Sequence, residues 1–141
     1  MKEGEKVQGE GIKIIVPSAL KNLSLIRALV KTYLIAESVS KKDILRLLTV
    51  IDELATNAIE HGYNYRNGEI SIFMIKEGTT VRITVEDFGA GFDKQKKSKV
   101  EGGMGLSIVR GLVDNLEIET KKVGTKFEIL KEVKEEKKDE L

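Results

Sequence analysis

The sequence predicts a two-layer α/β sandwich of the α+β type, with helices on one face of a mixed, mostly antiparallel sheet. Three observations lead to this prediction. Strand-like segments occur in pairs joined by short turns, helix-like segments are few, and the two kinds do not alternate as they would in a Rossmann fold. The expected order is β-α-α-β-β-loop-α-β-β.

The first strand and the first helix are expected before residue 40. A short apolar run from Ile12 to Val16 precedes Pro17 and is typical of a strand. Ser18 is a candidate N-cap for a helix that continues to about Glu37. Apolar residues recur in it at helical spacing, at Leu23, Ile26, Val30 and Leu34.

A second helix is expected from the candidate N-cap Ser40 to a stop at His61-Gly62. It would bury the apolar residues Ile44, Leu47, Leu48, Ile51, Leu54, Ala55 and Ala58. Strands are expected next at 69–75 and 80–87, with a turn at Glu77-Gly78 between them. Apolar and polar residues alternate in the second of these strands, which predicts that one of its faces is buried.

The remaining elements follow a glycine-rich segment at 88–103 that has no apolar period. A third helix is expected to start near Met104, and its apolar stripe is formed by Leu106, Val109, Val113 and Leu116. The last two strands are expected near 117–122 and 125–131, joined at Gly124.

Size and composition limit the classes of function. The 141 residues suit one domain, expected at 11–131 between a flexible N-terminus (1–10) and a charged tail (132–141). The absence of cysteine excludes disulfides and thiolate metal sites, and a single histidine argues against a histidine-based zinc site. A net charge of +1 gives no electrostatic basis for binding nucleic acid or an anionic membrane. No signal-type or membrane-spanning apolar run is seen, so a cytoplasmic location is expected.

Glu53 and Asn57 lie four residues apart on the second predicted helix, so their side chains project from the same side. Such a pair is often only part of a solvated helix face. The alternative is functional, with a carboxylate that accepts a proton and an amide oxygen that binds Mg²⁺. This ion takes oxygen ligands and is usually shared with substrate phosphates.

Asp87 ends a predicted strand and is followed by Gly89 and Gly91. This pattern suits a simple turn. It also suits recognition of a planar amine such as the amino group of adenine, because an ionised carboxylate only accepts hydrogen bonds. The glycines would let the ligand approach the backbone closely.

Gly102, Gly103 and Gly105 lie where the third helix is expected to begin. Unpaired N–H groups and the helix dipole at such a terminus favour an anion such as phosphate. A flexible loop that merely precedes a helix is the alternative. The sequence contains neither a P-loop motif nor a G-x-G-x-x-G motif that opens a strand–helix unit.

Three weaker candidates accompany these residues. A lysine-rich segment between the glycine clusters is either a solvated loop or a mobile lid, and it contains Lys94, Lys96, Lys97 and Lys99. Thr125 suits the start of a strand or a hydroxyl near phosphates. His61 is interpreted as part of the helix end rather than as a catalyst.

Together these residues resemble the GHKL ATP-binding superfamily, and the resemblance covers about residues 10–130. Glu53-Leu54-Ala55-Thr56-Asn57 matches the N-box of that superfamily, and Asp87-Phe88-Gly89-Ala90-Gly91 matches the first glycine box. Gly103-Met104-Gly105-Leu106 matches the second glycine box, and Gly124-Thr125 matches the last element of the pocket.

Within the superfamily the chain looks like the anti-sigma-factor serine/threonine kinases of the RsbW/SpoIIAB type. Residues 53–63 read ELATNAIEHGY, which is close to the version in that subfamily. The chain has the size of a lone domain, and it lacks the Phe-x-x-Phe element that sensor histidine kinases usually carry.

This resemblance implies a Bergerat fold that binds Mg-ATP, phosphorylates a serine of an anti-anti-sigma protein, and sequesters a sigma factor as a homodimer. It implies that Glu53 is the general base, that Asn57 holds Mg²⁺ and that Asp87 contacts adenine. Phosphate binding would fall to the second glycine cluster, formed by Gly102, Gly103, Met104, Gly105 and Leu106. Arg27 matches, by its spacing, an arginine that contacts partners in the subfamily.

Two alternatives stay open at this point. One is a detached histidine-kinase catalytic domain, which would form acid-labile phosphohistidine. The other is a nucleotide-gated binding module that sequesters a partner without transferring phosphate. Glu53 argues against the second alternative, because a binding module needs no general base.

Overall fold

The computed structural model describes residues 10–89 and 104–136, which form one five-stranded sheet and three α-helices. The strands are β1 (Ile12–Pro17), β2 (Glu69–Glu77), β3 (Thr80–Asp87), β4 (Asn115–Thr120) and β5 (Thr125–Glu132). The helices are α1 (Leu23–Ala36), α2 (Lys41–Asn57) and α3 (Met104–Leu112). A 3₁₀ turn (Leu20–Asn22) precedes α1, and a π-helical turn (Ala58–Gly62) extends α2.

The strand order is β1-β2-β3-β5-β4, and each pair of neighbours is antiparallel. The predicted two-layer α/β architecture is confirmed, although no parallel pair of the expected mixed sheet occurs among the described residues. β3 is the central strand, and it spans 80–87 as predicted. Its last residue, Asp87, therefore lies between Ile70 of β2 and Thr125 of β5.

One face of the sheet and the central helix α2 form the hydrophobic core. Alternate residues of β2 and β3 are buried, as the period of two predicts, at Ile70, Ile72, Met74, Val81, Ile83 and Val85. From α2, the side chains of Leu47, Val50, Ile51 and Leu54 have no exposed surface. Because α2 also contacts α1 and α3, its C-terminal turns are held in a fixed position over the sheet.

The predicted N-cap of the first helix is wrong. Ser18 is buried, and its hydroxyl donates a hydrogen bond to the carbonyl of Arg66 at 3.1 Å. Its N–H bonds to the carbonyl of Gly68 at 2.8 Å, so the chain continues alongside β2 for one residue beyond β1. The 3₁₀ turn follows, and α1 begins only at Leu23. Its N-cap, Asn22, makes no capping bond with its side chain, which instead donates to the Pro17 carbonyl at 2.8 Å.

The predicted N-cap of α2 is confirmed, and it belongs to a larger network. The Ser40 hydroxyl accepts a hydrogen bond from Asp43 N–H at 3.2 Å. The Asp43 carboxylate is buried and accepts from Arg46 at 2.9 Å and from Lys134 N–H at 2.8 Å. Residues 133–136, which fall within the predicted tail, are thereby bound to the connection between α1 and α2.

Burial on its own would raise the pKa of Asp43. Hydrogen bonds from the Lys134 N–H and from the side chains of Arg46 and Ser40 outweigh that effect, so the pKa lies below its ordinary value of 3.8. A carboxyl group with a lowered pKa in the folded state stabilises the fold above its unfolded pKa. That contribution is lost as the pH falls through the folded value.

Replacing Asp43 with alanine is therefore expected to lower the free energy of unfolding by about 2 kcal/mol at neutral pH, because the buried donors lose a charged acceptor. Urea denaturation measures this loss, and the difference from wild type should shrink in acid. Glu119→Gln, an exposed carboxylate on β4, is the matched control and should change little. An equal loss in both variants would show that Asp43 has no special role.

None of the helices in the described ranges combines the length and the hydropathy that crossing a lipid bilayer would require.

Candidate functional site

One end of the site is formed by the C-terminal half of α2 and the first turn of α3. Glu53 and Asn57 are both half-buried and lie one turn apart on α2. A Cβ atom added at Gly105 would collide with the Glu53 Oε1 atom. The structure therefore places the predicted general base directly against the helix start that carries the second glycine cluster.

The close approach makes residue 105 sensitive to an added side chain. With any side chain there, the first turn of α3 and the Glu53 carboxylate could not occupy their present positions. The N–H groups in the first turn of a helix lack intrahelical partners and favour an anionic ligand. A proton acceptor thus lies beside a backbone surface suited to phosphate.

The other end of the site is centred on Asp87, which is 1% exposed at the end of β3. Its Oδ1 atom accepts a hydrogen bond from the Gly89 N–H at 3.1 Å, whereas its buried Oδ2 atom has no hydrogen-bond partner among residues 10–89 and 104–136. Such an unsatisfied buried oxygen is unusual and indicates a missing donor. A ligand that presents an N–H group would supply it.

Burial raises the pKa of the Asp87 carboxyl above its ordinary value of 3.8. The hydrogen bond from the Gly89 N–H opposes this shift, and so do the nearby backbone N–H of Thr125 and the charge of Lys121. The carboxylate is therefore held at an energetic cost that a donor from a bound ligand would offset.

Thr125 lies directly across the sheet from Asp87 and is also 1% exposed. Its Oγ1 atom is buried and lacks a hydrogen-bond partner within the described part of the chain. The structure thus brings together two residues that are 38 positions apart in the sequence, each with an unsatisfied polar atom. Both atoms are available to a polar ligand or to a bridging water.

Three glycines allow the backbone to close tightly around Asp87. A Cβ at Gly62 would lie 2.6 Å from the Asp87 carboxylate, and one at Gly89 would overlap the Gly62 carbonyl. Gly124 has a positive φ of 93°, and a Cβ there would overlap the Asp87 carbonyl. The sequence indicates only a helix stop at Gly62 and does not predict its contact with Asp87.

Gly62→Ala is expected to weaken ligand binding at this site and to cost about 1–3 kcal/mol of stability, because the added methyl group overpacks the Asp87 carboxylate. Thermal denaturation and calorimetric titration with ADP measure the two effects. Gly111→Ala is the matched control, since a Cβ there meets nothing within 4 Å and replaces a helical glycine. It should stabilise the protein by up to about 1 kcal/mol.

Tyr63 is a second residue that the sequence did not identify. Its hydroxyl donates to the Glu69 carbonyl at 2.5 Å and accepts from the Phe88 N–H at 2.8 Å. Tyr63 therefore connects the turn after α2 to the start of β2 and to the end of β3. It positions the Asp87 strand end relative to the helix that carries Asn57.

The Phe88 ring after Asp87 is half-exposed, with the Lys121 ammonium 4.0 Å from its centroid. Lys121 also forms an ion pair with Glu86 at 2.5 Å. This cation–π contact and ion pair fix the edge of the site next to the β4–β5 turn.

Of the remaining predicted site residues, the structure describes some and not others. Gly91, Gly102, Gly103 and the lysine-rich segment lie outside the described residues. Met104 begins α3, and Leu106 is 1% exposed with its side chain in the core. A ligand could therefore meet Leu106 only through its backbone.

Arg27 lies on α1, away from the buried end of the site. Its Nε atom donates to the Asp52 carboxylate at 3.2 Å, and both side chains remain partly exposed. Burial raises the pKa of Asp52, and the Arg27 charge opposes that effect. The pair joins α1 to α2 at the residue before Glu53.

No group of three or more histidine, aspartate or glutamate side chains that could hold a metal occurs within 10–89 and 104–136. A cation here would have to be held by few protein ligands together with groups of a bound ligand. Mg²⁺ at phosphates is commonly bound in this way.

Comparison with known proteins identifies the family. Residues 16–131 match the histidine kinase-like ATPase domain family, and the chain belongs to that family. Among its curated relatives is the anti-sigma F factor of Anoxybacillus flavithermus, 30% identical over 83% of this chain and 88% of the relative. The anti-sigma F factor of Geobacillus stearothermophilus is 30% identical over 71% of this chain and 76% of the relative.

Solved structures show the same fold. The RsbU and RsbW domains of Rv1364c from Mycobacterium tuberculosis match 88% of this chain with a TM-score of 0.70 and 23% identity. This chain spans only 32% of that longer chain. The histidine kinase domain of the blue-light activated kinase from Erythrobacter litoralis EL346 matches with a TM-score of 0.59 and 22% identity, over 80% of this chain and 60% of its own. The predicted Bergerat-type fold is confirmed.

Proposed function

We propose that this protein is an anti-sigma factor that acts as an ATP-dependent serine/threonine kinase. In this proposal it binds Mg-ATP, phosphorylates a serine of an anti-anti-sigma protein, and sequesters a sigma factor as a homodimer in the cytoplasm. The supporting observation is a buried carboxylate oxygen, Asp87 Oδ2, that no described residue pairs with, in a histidine kinase-like ATPase fold. Relatives called anti-sigma F factors support the assignment of the class.

The adenine end of ATP fits the unsatisfied atoms. The exocyclic amino group of adenine would donate to Asp87 Oδ2, and Thr125 Oγ1 would bond to the base directly or through a water. Gly89 and Gly91 would keep the approach to this end free of side chains. Adenine binding would thereby satisfy the two polar atoms that the fold leaves buried and unpaired.

The phosphate end fits the first turn of α3. We assign phosphate binding to the N–H groups of Gly102, Gly103, Met104, Gly105 and Leu106. The Asn57 amide oxygen, one turn from Glu53, would hold Mg²⁺ together with phosphate oxygens. The bound ion would neutralise charge that develops on the phosphates during transfer.

In the proposed transfer, the substrate serine Oγ bonds to the γ-phosphorus while the bond from that phosphorus to the β–γ bridging oxygen breaks. ADP leaves with the bond electrons. The Glu53 carboxylate takes the serine proton, and its contact with Gly105 places it beside the phosphate-binding turn. Phosphoryl transfer depends mainly on positioning and charge neutralisation, so this small set of groups suffices.

Arg27 is the proposed contact for partner proteins. Its guanidinium is partly exposed and is engaged only on one side by Asp52 among the described residues. A carboxylate from a partner could bind the remaining N–H donors.

The pH dependence of nucleotide binding tests the Asp87 assignment. Because burial raises the pKa of Asp87, the nucleotide-free protein retains this proton to a higher pH than an exposed aspartate does. The adenine amino group needs the ionised form, so affinity for ADP should fall as the pH drops through that raised value. Calorimetric titrations over a pH series should show proton release on binding, and a flat profile would contradict the assignment.

The overall proposal is tested by incubating the protein with γ-labelled ATP and a small anti-anti-sigma protein from the same cell. Acid-stable label on a serine supports it. Acid-labile label would indicate a histidine-kinase catalytic domain, and nucleotide binding without label transfer would indicate a nucleotide-gated binding module.

A further inference from the structure

An apolar groove opens at the end of α2 that is remote from the nucleotide site. Its cavity volume is about 510 Å³, and its apolar lining comes from α1, α2 and their connection: Ile35, Val39, Ile44, Leu45 and Leu48. Leu45 precedes Asn57 by twelve residues, which is about 18 Å along the helix. The groove is therefore separate from the candidate nucleotide site.

The lining includes two of the most exposed apolar side chains in the described part of the chain. Leu45 is 65% exposed and Ile35 is 56% exposed. Single exposed apolar residues are common, but these two face one concave surface. An apolar surface of this shape is suited to another protein element rather than to water.

The rim of the groove is basic. Lys31 and Lys41 line it, and neither forms an ion pair with another residue in 10–89 or 104–136. Among the described residues that line the groove, one is acidic: Glu136, whose carboxylate accepts a hydrogen bond from the Lys41 N–H at the start of α2 at 3.0 Å. The positive end of the α2 dipole lies at the same rim.

From this combination we propose that the groove is a docking site for an amphipathic helix of a partner protein whose apolar face is flanked by acidic residues. The apolar floor would receive the hydrophobic stripe, and Lys31 and Lys41 would pair with the flanking carboxylates. Docking here leaves the candidate nucleotide site open.

Two other occupants of the groove are conceivable, a second copy of the chain and its own last residues, and neither suits the groove. A second copy would bring its own basic rim against Lys31 and Lys41, and the like charges would repel. The residues that follow Glu136 are four charged residues and a single leucine. They carry no apolar stripe to fill the groove.

Two synthetic helical peptides test the proposal on the full chain. They share a Leu/Ile stripe at i, i+3, i+4 and i+7, and they differ only in whether glutamate or lysine flanks it. The glutamate peptide should bind about tenfold or more tightly than the lysine peptide. Lys31→Glu combined with Lys41→Glu should reverse that preference.

Leu45→Asp should abolish binding of the glutamate peptide without changing the affinity for ADP. Leu25→Asp is the matched control, because Leu25 is a 47% exposed leucine of α1 outside the groove. The proposal is overturned if neither peptide binds or if both aspartate variants weaken binding equally. It is also overturned if Leu45→Asp dissociates a dimer in sedimentation, because the occupant would then be a second copy of the chain. The same holds if the peptide binds only after deletion of residues 137–141, because these residues would then occupy the groove.

Discussion

Glu53→Gln is expected to lower the rate of phosphoryl transfer about a thousandfold while leaving the affinity for ATP close to that of the wild type. Glutamine has nearly the same shape as glutamate, so the contact with Gly105 and the first turn of α3 should survive. It cannot accept the serine proton at neutral pH. Single-turnover transfer of label to the serine substrate measures the rate, and calorimetry measures nucleotide binding.

Glu60→Gln is the matched control, because Glu60 is also a half-buried carboxylate and lies two turns further along the same helical segment. Transfer by this variant should remain close to the wild-type rate. A Glu53→Gln variant with full transfer activity would refute the role of general base. Loss of ATP binding in that variant would instead show that Glu53 has a structural role at the helix start.

Most strands and the second helix could be predicted because their signals are local. The prediction for β4 was wrong by two residues, since this strand spans Asn115–Thr120, and Leu116, which was expected on the third helix, lies in it. The alternation in β3 gives its bounds directly, and the Ser40 N-cap is followed by Asp43 in the favourable position. The start of α1 could not be predicted in this way. Ser18 has the residue type of an N-cap, but its hydroxyl donates a hydrogen bond to the backbone carbonyl of Arg66, which lies 48 residues away.

In the candidate site, too, some features could be predicted from local signals and others depend on residues that are distant in the sequence. The residues Glu53, Asn57 and Asp87 indicated chemistry from the sequence only as a set, because together with the two glycine clusters they follow the order of the GHKL motifs. The pairing of Asp87 with Thr125 depends on the register of β3 and β5, which local patterns do not give. The contact of Gly62 with Asp87 joins two parts of the chain only after folding.

The arrangement of the fold explains how such distant residues meet. Asp87 and Thr125 lie at the same end of two neighbouring strands, and Tyr63 ties the extension of α2 to that end. Glu53 lies further back along α2, against α3. A ligand that reaches from the sheet end to the start of α3 would therefore be long and polar at both ends, as a nucleoside triphosphate is.

Asp87→Asn is expected to weaken the binding of ATP and ADP about a hundredfold, since a hydrogen bond to a charged acceptor in a buried site is lost. The amide can also turn its NH₂ group toward the adenine amino group, which would place two donors against each other. Calorimetric titration with ADP measures the affinity. Stability in the absence of nucleotide should stay the same or rise, because the buried charge is removed while one acceptor remains for the Gly89 N–H.

The variant is expected to lose affinity for nucleotide without losing stability. This combination distinguishes a role of Asp87 in ligand recognition from a structural role. If Asp87 served only to hold the backbone, the asparagine variant would lose stability. Those molecules that remained folded would bind ADP with the affinity of the wild type. Glu117→Gln is the matched control, because this exposed carboxylate on β4 lies outside the described site and should not affect affinity. Unchanged binding of ADP by Asp87→Asn would remove the central support for a nucleotide site at this end of the sheet.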